Sequence, residues 1–121
     1  MRKILSILFI FSVCVCFSCG SKKTVSVPDN IIPRDSMPSL LADVYLTEAG
    51  IAYKTRQGDT TIPKQIGQYY DAIFAKHKTS KVVFDSSISW YSAHPEMMFT
   101  VYQDALDMLV RMQSEKLRGK S

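Results

Sequence analysis

From residue 35 to residue 113 the apolar side chains recur three and four positions apart in four separate runs, and that period commits the chain to helices. Asp35 or Ser36 can cap a first helix whose apolar members are Met37, Leu40, Leu41, Val44, Tyr45, Ala49 and Ala52, ending near Tyr53. Lys54 to Thr61, with Gln57-Gly58-Asp59 at its centre, reads as a loop. A second helix opens after Thr61 with Pro63 in its first turn and lines up Ile62, Ile66, Tyr69, Tyr70, Ile73, Phe74 and His77. Thr79 and Ser80 are caps for a shorter third helix carrying Val83, Phe84, Ser87, Ile88 and Tyr91. His94-Pro95 breaks it, and Pro95 suits the first position of a fourth helix in which Met98, Tyr102, Ala105, Leu109 and Met112 follow a four-three spacing. Val82-Val83-Phe84 is the one β-leaning run, too short and too close to a cap to compete. The expectation is an all-α fold, a small bundle of about four helices over residues 35–113 with near-antiparallel neighbours, followed by a polar tail over 114–121.

The N-terminal end has a different character. Arg2 and Lys3 precede an apolar run from Ile4 to Phe17, which stops at Ser18-Cys19-Gly20, the arrangement of a bacterial lipoprotein signal. Cys14 and Cys16 each follow a valine, whereas Cys19 alone has small residues on both sides, as an extended chain entering a narrow peptidase cleft requires. Residues 1–18 therefore read as a signal peptide and Cys19 as the lipidated first residue, although Cys16 stands where an aliphatic residue is usual and bulky Phe17 lies beside it. An uncleaved membrane helix fits less well, because the run is shorter than the roughly 20 residues that span a bilayer. An ordinary secretory signal would need a small-x-small site that is missing after the run. All three cysteines lie at or before position 19, so the processed chain would hold no free thiol, disulfide or thiolate metal site. Two or three acyl chains, at about 0.8 kcal/mol per buried methylene, anchor stably without help from the folded domain.

Residues 19–34 read as the lipidated cysteine and a flexible tether, kept extended by Pro28 and Pro33. Such a tether reaches at most about 50 Å, so any target lies near the membrane. Lys22 and Lys23 could each add up to about 1 kcal/mol of attraction to anionic lipid, though a solvated linker is the simpler reading. Processing would leave 103 residues with 13 basic against 11 acidic side chains, a net charge of +2. That is enough for one small core and too mild for the basic face of a nucleic-acid binder.

Ile31-Ile32-Pro33, Leu41 to Ala49, Tyr70 with Ile73 to His77, Phe84 to Ser92, His94-Pro95-Glu96 and Val101-Tyr102 follow one another in an order that resembles the domain-of-unknown-function family 4296. The resemblance covers roughly residues 31–110, and its most specific part is the Phe-x-x-Ser-x-x-x-Tyr spacing at 84–91. It implies a small lipoprotein of the Bacteroidota type and implies no reaction. The acidic cluster that resembles a surface-export signal in such lipoproteins is missing after Cys19, which implies a domain facing the periplasm, most simply from the outer membrane.

Phe84, Ser87 and Tyr91 share one helix face, so Ser87 is expected to make a small hydrogen-bonded contact where another helix comes close. Asp85, Ser87 and His94 also supply the residue types of a catalytic triad, but nothing like Gly-x-Ser-x-Gly accompanies them. The two histidines, His77 and His94, stand seventeen residues apart without a His-Glu-x-x-His motif, so no metal and no cofactor is expected. His77 is placed to complement a helix dipole, and Asp104 with Asp107 to form a solvated face. Asp43, beside the apolar face of the first helix, either caps a neighbouring element or lines a polar groove, the first being preferred. Tyr69, Tyr70, Trp90 and Tyr91 are candidate contact residues if accessible, alongside Asp43, Ser87 and His94. The reading that follows is a membrane-anchored, non-enzymatic module that holds an envelope protein partner. Its alternative is a small cell-wall hydrolase or glycan binder in which Trp90 or Tyr91 stacks on sugar rings near Asp43, Glu48 or His94.

Overall fold

The computed structural model describes residues 25–119; the signal at 1–18, Cys19 and the first part of the tether lie outside the described residues. Four helices follow one another: α1 (Met37–Arg56), α2 (Ile62–Lys76), α3 (Lys81–Ser92) and α4 (Pro95–Arg118), with no strand among the described residues. Prolines near the start of α1, α2 and α4 fall where the backbone N–H has no partner to lose. Only Ser80, at the head of α3, caps with its side chain, accepting from the Val83 N–H at 3.3 Å. The Ser36 side chain makes no capping bond; its carbonyl instead accepts the Ser39 hydroxyl.

The α1–α2 connection is shorter than the sequence suggests, because α1 runs on to Arg56. Gly58 turns the chain with φ at +82°, and Asp59 accepts both the N–H (2.9 Å) and the hydroxyl (2.6 Å) of Thr61. The C-terminal end also differs, since α4 continues to Arg118 where a polar tail from Ser114 was expected.

Helix α1 packs on α2 and α4, and α3 packs on the same two from the far side, so the helices form a ring. Tyr70 meets Glu48 and Lys76 meets Asp43, which sets α1 and α2 antiparallel. The core gathers Met37, Leu40, Leu41 and Val44 of α1, Ile73 and Phe74 of α2, Tyr91 of α3, and Met98, Val101 and Ala105 of α4. Ile31 and Ile32 complete it at 6% and 7% exposure, so the end of the segment read as a tether is part of the folded domain. Two expected stripes are also corrected. Tyr45, Ala49 and Ala52 of α1 stay exposed, Tyr45 lying at the rim of the core against Tyr102 of α4. In α4 Tyr102 and Met112 face out while Val101 turns fully inward.

Candidate functional site

The most constrained arrangement lies where α3 meets the segment before α1. Ser87 Oγ accepts the N–H of Ile32 at 2.9 Å and donates to the Val83 carbonyl at 2.6 Å. One turn further on, the Tyr91 hydroxyl donates to the carbonyl of Ile32 at 2.8 Å. Both backbone polar groups of Ile32 are thus satisfied by side chains four apart on one helix face. The predicted close contact at Ser87 exists, but its partner is the non-helical backbone before α1 rather than a helix. Ser87 and Tyr91 are both 0% exposed, which removes them from the set of residues that could touch a partner. Burial raises the Tyr91 hydroxyl above its ordinary value; the Asp35 charge adds to this and Arg34 opposes it.

Asp43 ties α1 to the end of α2. Its Oδ2 accepts from Lys76 Nζ at 2.7 Å and from His77 Nε2 at 2.6 Å, with its side chain 14% exposed. Burial opposes ionisation of this carboxyl, but the bonds and charges of Lys76 and His77 outweigh it and hold Asp43 below its ordinary value. The carboxylate ties α2 to α1 through the Lys76 and His77 side chains rather than by capping the helix. His77 stands at the C-cap of α2, where a cation would complement the helix dipole.

The remaining candidates are brought together only in part. His94 donates from Nδ1 to the Trp90 carbonyl at 2.7 Å, and its ring stacks on the Trp90 indole at 4.0 Å, so one indole face is already covered. Tyr91 meets Trp90 edge-on at 5.0 Å. Tyr70 bonds Glu48 at 3.0 Å and stacks on Phe74, while Tyr69 bonds Gln65 and lies beneath Lys54. The triad types do not assemble: Ser87 is spent on Val83 and Ile32, Asp85 pairs with Lys81 at the surface, and His94 is held by Trp90. Asp104 is not merely solvated, since it accepts from Arg34 at 2.8 Å.

The family model for the domain of unknown function DUF4296 matches residues 28–115. The chain belongs to the DUF4296 family. No curated protein and no solved structure matches it. The match begins well before α1, in keeping with a DUF4296 domain whose fold includes the Ile31-Ile32 segment.

Shallow clefts open among the described residues of this DUF4296 domain. One of about 270 Å³ lies between Asn30, Ile31, Leu40, Lys78, Thr79 and Val83, where the Thr79 hydroxyl oxygen is buried without a partner. A second of about 270 Å³ lies between Arg34, Asp35, Asp104 and Arg111, and a third of about 180 Å³ between Gly50, Ile51, Lys54 and Tyr69. None is lined by Trp90, Tyr91 or His94. Among the described residues no group of three or more His, Cys, Asp or Glu could hold a metal ion, and no helix is long and apolar enough to cross a membrane. Sequence reasoning missed Ile31 and Ile32 as core residues, although two adjacent isoleucines in a polar stretch are the kind of signal that marks buried chain.

Proposed function

We propose that this protein is a lipid-anchored, non-enzymatic module of the bacterial envelope that holds a protein partner near the periplasmic face of the membrane. One contrast carries the reading. The polar side chains that could have served chemistry, Ser87, Tyr91, Asp43, His77 and His94, are committed to bonds that hold the fold together. The side chains left outside are large and apolar, among them Leu46 at 55%, Tyr53 at 66% and Phe99 at 61% exposure. A surface of that composition suits contact with another protein. The anchor is Cys19, supported by the signal-like run before it. With Ile31 and Ile32 seated in the core, the stretch from Cys19 to the domain is no longer than residues 19–30, and twelve extended residues reach only about 40 Å.

Labelling with a fatty-acid analogue tests the anchor: wild-type chain takes up label and Cys19→Ala does not. Crosslinking in intact envelopes tests the partner, with an unrelated lipidated protein as control. A crosslinked species above that control supports the module, and equal yields from both would refute it.

A further inference from the structure

Helix α4 carries two apolar faces. Met98, Val101 and Ala105 turn into the core. On another side of the same helix Phe99, Leu106, Val110 and Leu117 remain 61%, 61%, 53% and 64% exposed. Together with Gln103 and Gln113, these residues follow the 4-3-4-3-4 spacing of a coiled-coil seam along a helix of 24 residues, about 36 Å long. α4 packs on α1 and α3 within the chain, and this seam has no neighbour among the described residues.

We propose that the seam docks against the same seam of a second copy of this chain, with the two α4 helices antiparallel about a two-fold axis. The sequence of the seam is self-complementary in that arrangement. Reversing the helix about its midpoint near residue 108 sets Phe99 opposite Leu117, Leu106 opposite Val110, and Gln103 opposite Gln113. Every apolar layer then meets an apolar layer, and each glutamine meets an amide able to satisfy it. Charge selects the direction. Residues 95–107 hold three acids and no base, and residues 108–118 hold three bases and one acid. An antiparallel pair lays the acidic half beside the basic half and opposes the helix dipoles, whereas a parallel pair sets like halves side by side. The same charge pattern disfavours a lipid surface as occupant, since Glu96, Asp104 and Asp107 would be repelled by anionic headgroups.

The test uses full-length chains with two different tags, one carrying Gln103→Cys and the other Gln113→Cys, treated in intact cells with a short bis-maleimide. The unsubstituted chain supplies the background. Co-expression is expected to yield a mixed dimer, while either variant alone stays at background, because residues 103 of two antiparallel chains lie about 15 Å apart along the axis. Adding Leu106→Asp to both chains is expected to abolish the mixed dimer without changing helix content by circular dichroism. No mixed dimer, equal crosslinking by Gln103→Cys alone, or a mixed dimer that survives Leu106→Asp would each overturn the proposal. So would a Leu106→Cys thiol that is shielded from maleimide only when phosphatidylglycerol vesicles are added, because lipid would then cover the seam. The outcome does not depend on the anchor at Cys19 or on an envelope partner.

Discussion

Ile32 is the residue around which the α3 motif is organised, because its N–H and its carbonyl are both bonded by buried side chains, Ser87 and Tyr91. A buried backbone group left without a partner costs about 1–3 kcal/mol. Ser87→Ala is therefore expected to lower stability by that amount, and Tyr91→Phe by a similar amount, read as a drop in the urea midpoint. Because both act on one residue, the double variant should lose less than the two single losses added together. An unchanged midpoint in Ser87→Ala would show that the bond contributes nothing. Asp43 adds a pH dependence. Its folded value lies below the ordinary 3.8, so its ionised form is favoured in the folded state. That contribution is complete above the ordinary value and is lost as pH falls through the depressed one. Asp43→Asn should accordingly be less stable than wild type at neutral pH, and the gap should close in strong acid. A gap that stayed open in strong acid would contradict the Lys76 and His77 pairing.

At the scale of elements, the α1–α2 hairpin is set by its turn. Gly58 has φ of +82° with nothing within 4 Å of where a Cβ would stand, so a side chain there meets no steric obstacle beyond the backbone itself. Gly58→Ala should cost about 1–2 kcal/mol, the penalty for a left-handed L-residue, measured by urea unfolding. A neutral effect would mean that the turn relaxes to another conformation. The sequence made the helices legible as elements: Pro63, Ser80 and Pro95 mark starts that the structure keeps to within a residue. It did not make the inward face of α4 legible. That helix has apolar residues at 98, 99, 101, 102, 105, 106, 109 and 110, an arc wider than one neighbour can cover. The choice of Val101 over Tyr102 is made by α1, whose Tyr45 stacks on Tyr102 at the rim, 6.4 Å between ring centres. Partial desolvation at this rim, with the Tyr102 hydroxyl adding to it, pushes Tyr45 up to about 12.

For the whole molecule, stability is unevenly distributed. The core joins residues 31–44, 73–74 and 91–105, while the far part of the α1–α2 hairpin is mostly exposed, with Ile62 its one buried side chain. Hydrogen exchange under native conditions should therefore be faster over residues 50–68 than over 38–44 or 98–105. Uniform protection across the three regions would show that the domain opens only as one unit. The four helices and the absence of a strand among the described residues follow from the sequence alone, since a helix closes its hydrogen bonds within four positions and its punctuation is local. The role of Ser87 was only half legible: its place on a buried face follows from spacing, but its partner lies 55 positions away. Ile31 and Ile32 looked like tether because no period marks a non-helical segment of two residues. Packing alone decided that they enter the core, since the space between α1 and α3 needs filling and Ser87 and Tyr91 satisfy the backbone that fills it.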